Sequence, residues 1–458
     1  MTDRDVTYDR RMGLFTGVML VTGGIIGSGI FRNPQVVAQR VATAPLTLLA
    51  WILGGVIAMI GALVFAELGA RIPKAGGHYV YIRDAFGGLP AFLYAWALLL
   101  IIGTGAIAAV AVTFADYALS LAHLPESWRL ATAGGAIVLL SFINYCGIRW
   151  GAVTQNVFTI LKLSALGLII VVGAVSLLGL LPAPAAQAPD PAPPASLVLA
   201  LGAALVPVLF SYGGWQQTNF VVEEMVAPER NLPRALIIGV AVVVVVYILA
   251  NATYLRGLGA AGLAASEAPA SDAMLALVGK TGQTIVALGI IVSTFGFLNL
   301  VILVSPRVYQ TVASDGLFFQ RFARLHPRFR TPTAAIVVQA IWALVLLRTN
   351  RYGQLLDYVV FADWIFFGLA AAALLAFRQR ERRGRLDHAP GYRMPGAPVL
   401  PALFILAALY VVVGSVSSNP NNALRGAGIL LIGVPVYLLW RRRGKMGSRD
   451  DTMQGNRA

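Results

Sequence analysis

The chain has 458 residues, 58% hydrophobic and 12% charged, with a net charge of +15. Soluble globular domains carry about 25% charged residues, so that class is excluded, and a mean hydropathy of +0.75 places the chain in a bilayer. A basic excess of this size would otherwise suggest a nucleic-acid partner. Here it collects in short segments between apolar runs such as RRERRGRLD and WRRRGK, which suit anionic lipid headgroups.

Residues 1–13 form a polar N-terminal tail, and the apolar run behind it is too long, and lacks the cleavage site, for a signal peptide. Runs able to cross a bilayer, at about 20 residues each, follow at 14–40, 44–68, 88–115, 130–147, 153–181, 197–222, 235–255, 283–304, 333–347, 355–377, 398–417 and 423–440. They are longer and more solidly apolar than the alternating, roughly ten-residue segments of a membrane barrel. The expected fold is therefore an all-α integral membrane protein with twelve transmembrane helices. With the N-terminus inside, 26 of the 35 basic residues fall in cytoplasmic segments and 8 on the outer side, while Lys162 lies within a span. Because Lys and Arg accumulate in cytoplasmic loops, both termini are expected there.

The first run carries GGIIGSGIF at residues 23–31. Gly23 and Gly27 either let two helices pack closely or break this one. The sixth run supplies a counterpart in VPVLFSYGGW, residues 206–215, with a proline upstream of a glycine pair. Paired interruptions in corresponding spans of two halves point to a transporter site. An odd number of intervening spans makes the halves enter the membrane in opposite directions. The chain then divides into a first inverted repeat (14–181), a Pro/Ala connector (182–196), a second repeat (197–380), two further spans (381–441) and a C-terminal tail (442–458).

Unwinding frees backbone groups that lipid cannot satisfy. Free amides at the helix start near Ser28 suit a carboxylate. Free carbonyls near Ile25, Ile26, Phe210 and Ser211 suit an ammonium. One small molecule carrying both groups on adjacent atoms is an α-amino acid.

GGIIGSGIF, FSYGGWQQTNFVVEEM followed by APERNLPRA, AELGARIPKAGGHYVYIRDAFG and NYCGIRWGAVTQNVFTILK resemble, in order and along nearly the whole chain, the L-amino acid transporter branch of the amino acid, polyamine and organocation superfamily. The resemblance implies a LeuT-like fold with a 5+5 inverted repeat, discontinuous spans 1 and 6, and alternating access around a midplane site. It puts the carboxylate-binding turn on Gly27, Ser28 and Gly29, and the ammonium-binding carbonyls on Ile25, Phe210, Ser211 and Gly213. It also makes Phe210 a gate and brings Gln217 and Trp364 into the substrate site. Gln216 stands where members handling basic amino acids tend to place Asp, which implies neutral substrates. Animal members that pair with a single-span glycoprotein use a Cys in the outer loop at 116–129. That loop has none here, and no disulfide-linked ancillary subunit is expected.

Lys162 lies about ten residues into the fifth span, roughly 15 Å deep, where a charge is functional by default. The resemblance sets it against the unwound part of span 1 and the polar start of span 8, at Ser293 and Thr294. Its ammonium there replaces the cation of sodium-coupled relatives; the other reading is a static hydrogen-bonding post. Asp363, where the family often has an uncharged polar residue, could read a cationic side chain, pair with Arg32, or be protonated and hydrogen-bonded. Gly103 and Gly105 either leave room beside the site or serve tight packing. Glu67, Glu223, Glu224 and Arg307 sit at cytoplasmic helix ends, as solvated or snorkelling charges or as a gate.

The expected activity is secondary transport of neutral L-amino acids, by exchange or proton-linked symport, in a bacterial inner membrane. The alternative is a cationic or broad-specificity amino acid or polyamine carrier. A membrane-embedded transferase would need acidic or His clusters, and a channel would need rings of pore charges; the sequence has neither. No CxxC or HExxH occurs and Cys146 is the sole cysteine, so no metal, cofactor or internal disulfide is expected.

Overall fold

The computed structural model describes residues 10–181, 188–349, 352–384, 390–418 and 420–455. Positions 182–187 of the connector, 1–9 of the N-terminal tail and 456–458 of the C-terminal tail lie outside the described residues. Among those described the chain is helical, with a single isolated bridge between Met12 and Met225.

The first apolar run folds as α1 (Leu14–Ile25) and α2 (Gly29–Val41), bent by 42°. Then come α3 (Ala44–Arg71), the short α4 (His78–Phe86), and α5 (Gly88–Ala97), which continues through a π-helical turn at Leu98–Ile102 into α6 (Gly103–Leu121). Next are α7 (Arg129–Tyr145), α8 (Ile148–Leu177) and α9 (Leu197–Tyr212), which passes into a 3-10 stretch, Trp215–Glu224. The chain continues with α10 (Pro228–Ala265), α11 (Pro269–Ser314), α12 (Gln320–Ala323), α13 (Thr333–Thr349), α14 (Tyr352–Arg382), α15 (Val399–Ser418) and α16 (Pro420–Gly455).

Each of the twelve expected runs coincides with helix. Ten, counting the bent pair once, have the length and apolarity of a span among the described residues. The other two, α7 and α13, are 17 residues each, below the about 20 of an untilted crossing. Both α10 and α11 outrun the expected segments, each continuing past a bend, at Gly259 and Gly279.

The bent first span sits in the middle of the bundle, with α1 against α8 and α10, and α2 against α9 and α10. Lipid is as apolar as leucine, so these helices associate by close packing rather than by exclusion from water. Small residues on α3 make that possible: a Cβ on Gly61 would stand 2.6 Å from the Trp215 ring, and one on Gly55 2.8 Å from Val244. Behind the centre, Trp51, Tyr212 and Tyr247 form an aromatic triad with ring centroids 5.1 to 5.8 Å apart, joining α3, α9 and α10. Outward-facing apolar side chains such as Val138, Phe142 and Leu409 form the surface for lipid.

Candidate substrate-binding site

The helix of α1 stops where Ile26 turns to an extended ψ of 92°, although its N–H still bonds the Thr22 carbonyl. Glycine costs about 1 kcal/mol in a helix, so the run of glycines makes a break cheap here. Side chains from elsewhere then hold it open. The Lys162 ammonium donates to the Gly23 carbonyl (2.9 Å) and the Ile26 carbonyl (2.7 Å), and Ser293 Oγ adds a bond to Ile26 (3.3 Å). A cation at a helix C-terminus also complements the macrodipole.

The second break follows from Pro207 and Gly214. Proline lacks an N–H, which leaves the Ala203 carbonyl without its intrahelical donor, and the Arg40 guanidinium donates there instead. The Pro207 carbonyl accepts from Asn33 Nδ2 (2.9 Å) and Ser211 Oγ (2.8 Å). At Gly214, φ is 114°, a left-handed value that only glycine adopts readily, and its N–H donates to Gln216 Oε1 (2.9 Å).

The two breaks lie against one another. Tyr247 Oη reaches the Ile25 carbonyl (3.1 Å) and the Ser211 carbonyl (3.2 Å), while Asn33 Nδ2 donates to Ser211 Oγ (2.8 Å). Contact is close enough that a Cβ on Gly29 would stand 2.8 Å from the Ser211 Cα.

A cavity of about 60 Å³ opens beside this junction. Of the sequence-derived residues, Ile25, Gly27, Ser28, Gly29, Phe210, Ser211, Gly213, Gln217, Asp363 and Trp364 all line it. Ile26 and Lys162 do not; the Ile26 carbonyl faces Lys162 and Ser293 on the other side of the broken helix. Thr294 points back into α11, donating to Ile290 (2.8 Å). Gln217 Oε1 is buried with no partner among the described residues. Asp363 forms no ion pair with any described Lys or Arg, and Arg32 acts instead on Asp116 and Tyr117.

A third irregularity was not legible in the sequence. The π-helical turn LLLII borders the cavity through Leu98 and Ile102. Its carbonyls are taken up by Tyr309 Oη on Leu98 (3.2 Å), Thr104 Oγ1 on Leu99 (2.6 Å) and Trp342 Nε1 on Leu100 (3.1 Å). Such bulges occur often at functional sites. Tyr94, Phe220, Phe297 and Ser305 also line the cavity, and nothing in their local pattern marks them.

Toward the basic face the charged side chains are packed and paired. Glu67, Glu224 and Arg307 are buried, at 0 to 1% exposure, rather than solvated or snorkelling as expected. The reason is pairing: Glu67 binds Arg71 (2.6 Å), Arg378 and the Met394 N–H (2.9 Å), while Arg307 binds Glu224 (3.1 Å). Glu223 remains half-buried. Tyr79 Oη and Arg83 share the Asp315 carboxylate, each at 2.6 Å. Between this layer and the cavity, the His78 ring stacks on Tyr94 (4.8 Å) and Phe367 (5.4 Å) with no hydrogen bond to either nitrogen. Burial pushes its pKa down to about 3.

Two interrupted helices meeting at one cavity are the arrangement of a secondary transporter of small molecules. The family model described as amino acid permease matches residues 12–434. The chain is 33% identical to the rat protein named large neutral amino acids transporter small subunit 2, over 96% of this chain and 83% of that protein. It is also 33% identical to the human cystine/glutamate transporter (95% and 86%) and 32% identical to the human b(0,+)-type amino acid transporter 1 (95% and 89%). The chain belongs to the amino acid permease family, in its L-amino acid transporter branch. It is a multi-pass membrane transporter of amino acids, and the transferase reading falls with that.

Proposed function

We propose that the protein carries neutral L-amino acids across a bacterial inner membrane by alternating access, with both termini and the basic face in the cytoplasm. The observation that carries this reading is the junction of the two breaks at one cavity. Ser28 with the amides of Gly27 and Gly29 takes the substrate carboxylate. The carbonyls of Ile25, Phe210, Ser211 and Gly213 take its ammonium; each carbonyl has two lone pairs, so the Tyr247 bonds leave acceptor capacity. Phe210 and Trp364 enclose the side chain, and Gln217 Oε1 offers it one polar contact.

The paired, buried charges toward the basic face and the small cavity support an occluded or outward-facing arrangement. Opening to the cytoplasm then requires the Glu67 and Arg307 networks to part. Lys162, which grips α1 from behind the site, moves with the break and transmits substrate binding to α8 and α11. The outer loop at 116–129 has no cysteine, and on this reading the transporter works without a disulfide-linked subunit.

The test is uptake of labelled amino acids into proteoliposomes, with internal amino acid and external pH varied independently. Uptake of a labelled neutral amino acid, competed by unlabelled L- but not D-isomer, is the expected result. Failure to bind or move any amino acid would refute the assignment.

A further inference from the structure

The chemistry left over at the site is a charge without a counter-charge. Among the described residues Asp363 is the only charged side chain lining the cavity. None of the described cations pairs with it, and the intramembrane ammonium of Lys162 is engaged with the Gly23 and Ile26 carbonyls. The titratable groups around it do not neutralise it. Tyr94 and Tyr309 interact with one another, and Asp363 with Tyr94, but a phenol brings no positive charge. His78 on α4 lies beyond Tyr94, in the aromatic stack. On α3, Glu67 is held by Arg71 and Arg378; on α6, Asp116 pairs with Arg129 (2.7 Å). On α15, Tyr410 donates to the Val198 carbonyl, and on α16, Tyr437 packs on Phe92.

A carboxylate ionised alone in a low-dielectric cavity is strongly disfavoured. A zwitterionic substrate adds no net charge, so it leaves the occluded cavity at −1. Neutrality requires one positive charge to enter with each zwitterion. We propose that Asp363 carries that charge: it binds a proton when the substrate is a neutral amino acid and accepts the side-chain ammonium when the substrate is a short diamino acid. In the first case the proton joins a carboxylate oxygen from water on one side and leaves to water on the other, and no other bond changes. In the second the substrate supplies its own cation and no proton moves. The cavity then carries one positive charge per cycle for either class. This reading rests on the amino acid site proposed above and adds the ion that accompanies the substrate.

The experiment measures steady-state accumulation in proteoliposomes with the membrane potential clamped at zero. One proton per alanine predicts about tenfold accumulation for each pH unit of outside acidity. For 2,4-diaminobutyrate the ratio stays near one at any pH gradient and responds to voltage instead. Asp363→Asn should lose pH-driven alanine accumulation, with its thermal unfolding in detergent checked against the wild type to establish that the variant is folded, and Asp363→Glu should restore coupling. Tenfold accumulation retained in Asp363→Asn would overturn the proposal by placing the proton elsewhere. So would wild-type exchange that no pH gradient drives, although the amino acid site would then stand. Absence of any amino acid transport by the wild type would instead refute the underlying site.

Discussion

The ammonium of Lys162 lies 2.7 Å from the carbonyl oxygen of Ile26, the residue at which the first span leaves its helix. A lysine from α8 thus does what the next turn of α1 would have done. Removing it takes this donor from the Gly23 carbonyl and leaves the Ile26 carbonyl with Ser293 Oγ alone; an unsatisfied buried group costs about 1–3 kcal/mol. Lys162→Ala should therefore abolish net transport and lower thermal stability while retaining measurable substrate binding. Unchanged uptake at every pH would reject the role.

The two glycines of the proposed carboxylate turn should not be equally sensitive. A Cβ on Gly29 meets Ser211 at 2.6 to 2.9 Å, backbone included, whereas one on Gly27 meets the edge of the Phe297 ring at 3.1 Å. Backbone cannot yield cheaply and a ring can tilt. Gly29→Ala should abolish amino acid binding while Gly27→Ala weakens it by less than about tenfold, equal to 1.4 kcal/mol. Gly29→Leu and Gly27→Leu should both eliminate binding yet still insert in the membrane. Equilibrium binding to purified variants checks the order; normal affinity in Gly29→Ala would displace the site.

Tyr247 joins the breaks with one hydroxyl, whose single proton serves two carbonyls in turn. Tyr247→Phe keeps the ring contacts with Trp51 and Tyr212 and removes only the tie. A net hydrogen bond is worth about 1 kcal/mol, so the dissociation constant for the amino acid should rise about fivefold. Isothermal titration measures this, and an unchanged constant would mean that the breaks hold their relative position without it.

What could be read in advance divides along a physical line. The breaks were legible because glycine and proline act locally: Gly214 can take a positive φ, as it does here, and Pro207 lacks an N–H wherever the rest of the chain goes. The π-helical turn was not, because LLLII is uniformly apolar and its carbonyls find Tyr309 and Trp342 only through the tertiary fold. Nor was the burial of Glu67, whose partner Arg378 is 311 residues away. A carboxylate at a helix end reads as solvated until its cation is known. Asp363 was visible as a charge in an apolar run, but its place in the cavity, away from Arg32, needed the structure.

His78 supplies a pH dependence whose sign follows from its surroundings. The ring is fully buried among Phe65, Tyr94 and Phe367 with no hydrogen-bond partner, and its pKa falls from 6.5 to about 3. Between those values the unfolded chain binds a proton that the folded one does not. Stability therefore declines as pH drops below 6.5, by about 1.4 kcal/mol per pH unit, and is constant in this respect above it. By pH 4.5 the loss is on the order of 3 kcal/mol by the same slope. His78→Phe preserves a stacked ring and removes the titration. Its melting temperature should fall less than that of the wild type between pH 7 and 4.5, measured in detergent with both proteins at one concentration. Equal slopes would mean that the imidazole reaches water or finds a partner in the folded state. In the transport cycle proposed above, parting of the basic face would wet this ring, so acid on that side should favour the opened form.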